Sequence, residues 1–119
     1  MRVLVVDDHR NTRESLALGL ARLGHDADVA SGADEGLIRL RESSYRWLIC
    51  DVRMPGTNGV EFAALARRHQ PHLGLILMTS YDVSEEERRV IDGLQGRLVI
   101  KPVTAARLAA LCQAPAAET

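Results

Sequence analysis

Short, nearly continuous apolar runs alternate along the chain with stretches in which apolar residues return every three or four positions. Residues 2–6, RVLVV, end at Asp7 and Asp8 and suit a strand buried on both faces. Leu16, Leu20 and Leu23 then recur at helical spacing, and Gly24 supplies a stop. Residues 27–30, ADVA, predict a weaker second strand, and Ala33, Leu37 and Leu40 predict a second amphipathic helix. WLIC (47–50) predicts a third strand that runs into Asp51. A loop over 54–59 leads to a third helix carrying Val60, Ala63, Ala64 and Arg67. LILM (75–78) predicts a fourth strand ending at Thr79 and Ser80. Ser84-Glu85-Glu86-Glu87 has the capping-box pattern, and its acids suit the positive end of a fourth helix. LVI (98–100) predicts the fifth strand, ending at Lys101-Pro102, and Thr104 caps a last helix with Leu108 and Leu111. Residues 1–113 thus form one domain, with 114–119 an Ala/Pro-rich flexible tail or the start of a linker.

Five strands alternating with five helices predict an α/β fold, a doubly wound parallel sheet with helices on both faces. In such sheets ligands bind beyond the carboxyl ends of the strands. The polar residues that break the apolar runs are Asp7 and Asp8, Asp51, Thr79 and Lys101, at the ends of strands one, three, four and five. Each alone reads as an ordinary turn or cap. Together, at the same ends of successive strands, they predict one cluster.

Composition narrows the class. At 119 residues with 46% hydrophobic and 26% charged residues, the chain suits one globular domain. A net charge of −1 gives no bias toward nucleic acid or anionic membrane, and no basic recognition helix follows residue 112. No apolar run is long enough to span a bilayer, and no signal-peptide pattern opens the chain, so a cytoplasmic location is expected. Cys50 and Cys112 lie in apolar runs and read as buried thiols in a reducing compartment. Trp47 reads as packing, and His9 as an exposed residue at a loop-to-helix boundary rather than a metal ligand.

Three crowded carboxylates repel one another, and a hard divalent cation such as Mg²⁺ relieves this. Lys101 adds a second positive charge. One carboxylate, one Mg²⁺, one lysine and one hydroxyl make a cradle for a phosphoryl group, and an aspartate is a competent nucleophile toward phosphorus.

The runs LVVDD, ICDVRMPGTNG, ILMTS and VIKP, in this order and spacing, resemble the receiver domain of bacterial two-component response regulators over nearly the whole chain. The resemblance implies a flavodoxin-like strand order of 2-1-3-4-5. It implies Asp51 as phosphoacceptor and Mg²⁺ bound by Asp8, Asp51 and the backbone carbonyl of Arg53, with Asp7 helping partly through water. Thr79 would bond a phosphoryl oxygen and swing inward, Lys101 would pair with another, and the Lys101-Pro102 bond would be cis. The donor would be a phosphohistidine on a sensor histidine kinase or phosphotransfer protein. Output would run through the fourth helix, fifth strand and fifth helix, a face that could also form a homodimer. Such a domain is not an enzyme beyond its own phosphotransfer and slow self-dephosphorylation.

Two positions depart from the family pattern. Leu98 stands where an aromatic residue commonly couples site and output face, and Ser80 follows the switch hydroxyl where a small or aliphatic residue is common. Arg53 and Tyr81 occupy the two positions that flank the approach of a hydrolytic water; both are large, and slow decay suited to a sustained response is expected. The competing readings are a phosphorylation-independent dimerisation or scaffold module, and an aspartyl-phosphate phosphatase. The intact acidic cluster argues against the first. The second needs an aspartate where Arg53 stands.

Overall fold

The computed structural model describes residues 1–113; the expectation for 114–119 lies outside the described residues. Strands β1 (Arg2–Val6), β2 (Asp26–Ala30), β3 (Trp47–Asp51), β6 (Gly74–Thr79) and β7 (Arg97–Ile100) form one parallel sheet in the order β2-β1-β3-β6-β7. Helices α1 (Arg10–Arg22), α2 (Ala33–Glu42), α3 (Gly59–His69), α4 (Glu85–Gly93) and α5 (Ala105–Gln113) follow these strands in turn. The chain reverses its winding at β1, so the carboxyl ends of β1 and β3 flank the switch in strand order, where ligands bind in such sheets.

Because successive strand residues point to opposite faces, each apolar run feeds two cores. Leu4, Val6, Leu48, Cys50, Leu75 and Leu77 pack on one face with Leu40, Phe62, Ala66 and Ile91 of α2, α3 and α4. Val3, Val5, Trp47, Ile49, Ile76 and Met78 pack on the other with Leu16, Leu20, Leu108 and Cys112 of α1 and α5. Both thiols are buried and Trp47 is core, as expected.

Three local features differ from the sequence reading. Leu23 does not extend the buried stripe of α1: it is the C-cap residue and is 51% exposed, because the helix ends before it. Ile100, the last residue of the fifth sheet strand and at the edge of the sheet, is 53% exposed, although Leu98 on the same face still packs against the α2–α3–α4 core. The loop after β3 contains a small antiparallel ribbon, β4 (Arg53–Met54) with β5 (Thr57–Asn58), turned by Gly56 at φ 77. The left-handed region at that turn favours glycine.

Candidate functional site at the carboxyl edge of the sheet

β1 delivers Asp7 fully buried, β3 delivers Asp51 at 4% exposure, and β6 delivers Thr79 fully buried. Lys101 follows β7, and its backbone amide donates to the Thr79 carbonyl at 2.8 Å, continuing the ladder past the strand. Its ammonium then bridges the two carboxylates: Nζ lies 2.9 Å from Asp7 Oδ2 and 3.0 Å from Asp51 Oδ2. Burial opposes the charge on Lys101, but the hydrogen bonds to Asp7 and Asp51 outweigh it and hold the ammonium above its ordinary range. The Lys101-Pro102 peptide bond is cis.

The remaining carboxylate oxygens are unequally occupied. Asp7 Oδ1 accepts the His9 backbone amide at 2.9 Å, and Asp51 Oδ1 accepts the Arg53 backbone amide at 3.2 Å. Asp8 Oδ1 is buried without a hydrogen-bond partner; the nearest cationic candidate, His9 Nδ1, stands 3.5 Å away on a 71% exposed ring. Asp7, Asp8, His9 and Asp51 offer ligand atoms within 4.8 Å of one another. Orphaned carboxylate oxygen beside two further carboxylates suits a hard, oxygen-seeking cation, and the donor set fits Mg²⁺. Asp7 and Asp51 each have both oxygens engaged, so the unpartnered Asp8 oxygen is the one freest to meet an ion directly.

The structure thus brings Asp7, Asp51 and Lys101 into contact and sets Asp8 beside them. Thr79 ends the neighbouring strand, and its Oγ1 accepts the Tyr81 backbone amide at 3.3 Å. The Tyr81 side chain is 76% exposed. Leu98 lies in β7, half-buried against the α2–α3–α4 core. Arg53 begins the ribbon two residues past Asp51, and its guanidinium makes a paired contact with Glu87 of α4.

Two participants were not singled out from the sequence as part of the site. A Cβ on Gly59 would stand 1.9 Å from the Asp51 carbonyl oxygen, so only glycine lets α3 begin against the end of β3. In the sequence Gly59 stands at the loop-to-helix boundary and closes the run ICDVRMPGTNG, but neither shows what its missing Cβ makes room for. Glu87 was legible as a cap residue but not as the partner of Arg53.

The profile of the family described as "Response regulator receiver domain" matches residues 3–113. This chain belongs to that family. The receiver is 32% identical over 107 residues to the response regulator protein FleR of Pseudomonas aeruginosa, covering 90% of the chain and 23% of FleR. It is 34% identical to the sensory/regulatory protein RpfC of Xanthomonas campestris, covering 91% of the chain and 15% of RpfC. The receiver therefore spans less than a quarter of either relative. Among solved structures, a response regulator receiver protein from Pseudomonas putida superposes with a TM-score of 0.83 at 32% identity, over 92% of this chain and 93% of that one. Response regulator TrrA of Thermotoga maritima, solved in complex with Mg²⁺-BeF, gives 0.78 at 31% identity over 92% and 94%. Among the described residues of the receiver no helix is long and apolar enough to cross a membrane.

Proposed function

We propose that the receiver is a phosphorylation-activated signalling switch in which Asp51 takes a phosphoryl group from a phosphohistidine on a sensor histidine kinase or phosphotransfer protein. The observation that carries this is the Lys101 ammonium held between Asp7 and Asp51 beside an unpartnered Asp8 oxygen. Asp51 attacks phosphorus, the bond from phosphorus to the donor nitrogen breaks, and the imidazole leaves. Lys101 is already within reach of Asp51 Oδ2 and pairs with a phosphoryl oxygen without a large move. Thr79 would donate its hydroxyl proton to another, a capacity that accepting the Tyr81 amide leaves unused. Mg²⁺, held by Asp8, Asp51 and the Arg53 carbonyl with Asp7 behind them, would offset the negative charge on the phosphoryl oxygens.

The complex of TrrA with Mg²⁺-BeF supports the metal, and the match to part of the sensory/regulatory protein RpfC supports a partner in sensory signalling. A cleft of about 620 Å³ lies beside Lys101, lined in part by Asn11, Thr12, Ser15, Ser80 and Pro102. The protein catalyses only its own phosphotransfer and slow self-dephosphorylation. Output runs through α4, β7 and α5, where Thr79 carries more of the coupling than Leu98, already packed inward. The same face is the one for a homodimer.

With Mg²⁺ and acetyl phosphate, intact-mass analysis should show one added phosphoryl group. Asp51→Asn should abolish it, and equal labelling of that variant would refute the assignment.

A further inference from the structure

Glu87 gathers more polar contacts than its place on an outer helix requires. Arg53 Nη2 donates to Glu87 Oε1 at 3.1 Å and Nη1 donates to Oε2. Asn58 Nδ2 donates to Oε2 and the Ser84 backbone amide to Oε1, both at 2.9 Å. Arg53 and Asn58 are paired across the β4–β5 ribbon. One carboxylate in the first turn of α4 therefore ties both strands of the ribbon to that helix. Arg53 is committed in two directions. Its backbone amide is on Asp51 Oδ1, while its half-exposed guanidinium reaches away to Glu87.

We propose that Glu87 is a positioning residue of the phosphoacceptor site: it holds the Arg53 guanidinium at the start of α4, and a phosphoryl group on Asp51 competes with it for that cation. The proposal rests on Asp51 being the phosphoacceptor. A guanidinium fork binds a carboxylate or a phosphoryl group bidentately, but not both at once. While Arg53 sits on Glu87, the approach to the acyl phosphate is open to an in-line water. When Arg53 lies over the phosphoryl oxygens, its bulk closes that approach. Glu87 thus shortens the lifetime of the phosphorylated state. Coupling of this kind is reciprocal. A phosphoryl group that draws Arg53 away unties the ribbon from α4, and a partner that holds the start of α4 in its tied form shortens the lifetime.

Glutamine at the third helical position still serves a capping box, so Glu87→Gln removes the charge while keeping the cap. The full chain as wild type, Glu87→Gln, Arg53→Met and the double variant would be loaded with acetyl phosphate and Mg²⁺, desalted, and followed by intact mass. Phospho-Asp51 should decay about five-fold more slowly in Glu87→Gln than in wild type, at the lower end of typical couplings between sites. The double variant should decay at the rate of Arg53→Met alone. Equal decay in wild type and Glu87→Gln overturns the proposal. So does the same slowing in the Arg53→Met background, since Glu87 would then act without Arg53. If Glu87→Gln does not fold, Glu87→Met, which removes the charge and keeps the length of the arm, is read in its place against the same outcomes. Failure of the wild type itself to gain a phosphoryl group overturns the phosphoacceptor reading and this proposal with it, and is recognised by mass before any decay is measured.

Discussion

Glu87 shows how far a surface carboxyl can be moved by its neighbours. The Arg53 guanidinium first, then the Ser84 and Asn58 amides, hold it down to about 2 against an ordinary value of 4.5. A carboxyl whose pKa is lower in the folded state contributes stability that is fully present above its unfolded value and is lost as pH falls through the folded one. The gap in melting temperature between wild type and Glu87→Gln should therefore be full at neutral pH and narrow as pH is taken from about 4.5 toward about 2. A gap unchanged across that window would show that the charge on Glu87 is not what the contacts stabilise. At this scale the sequence was informative wherever a polar residue ended an apolar run. Asp7, Asp51, Thr79 and Lys101 each stand where an apolar strand ends; singly each reads as a turn or cap, and only their shared place at one edge of the sheet points to a site. Leu23 and Ile100 misled for the converse reason. Hydrophobicity reports what a side chain prefers, not whether the element still shields it at that residue.

Elements carry the second level of specification. The capping box at Ser84–Glu87 was legible because its reciprocal bonds join residues three apart, a local relation. The β4–β5 ribbon was not, because two residues per strand are too few for an alternation to register. The bond from Glu87 to Arg53 joins residues 34 apart on different elements, and no periodicity brings them together. The need for glycine at position 59 is tertiary: the carbonyl of Asp51 occupies the place of its Cβ, a contact that no local pattern encodes. Gly59→Ala should push the start of α3 off the end of β3 and cost about 3 kcal/mol, the upper part of the usual range for overpacking. Urea unfolding would measure it, and acetyl-phosphate labelling should fall along with stability. A variant within about 0.5 kcal/mol of wild type, the ordinary spread for surface changes, would mean the approach relaxes freely.

For the whole molecule, the parallel sheet is one layer shared by two separate cores, and the acidic site lies at its carboxyl edge between them. An ion that binds there binds only the folded chain and stabilises it by mass action. At ten times its dissociation constant, Mg²⁺ should add about 1.4 kcal/mol, raising the melting temperature by roughly 5 °C. Asp8→Ala should lose the response, because the unpartnered oxygen that the ion would satisfy is gone. A wild type indifferent to millimolar Mg²⁺, or a variant that responds as fully, would count against the site.

The two-core architecture has one more consequence. Cys50 sits in the α2–α3–α4 layer and Cys112 in the α1–α5 layer, and both are buried. Burial pushes the Cys50 thiol far above its ordinary range and the Cys112 thiol up to about 11. Neither reacts until its own layer parts from the sheet. The chain therefore carries a native reporter in each half, and a thiol reagent becomes a clock with two hands. Equal labelling rates mean that the halves come apart as one cooperative unit; a faster Cys112 means that at least the end of α5 opens by itself while Cys50 and the central strand stay covered.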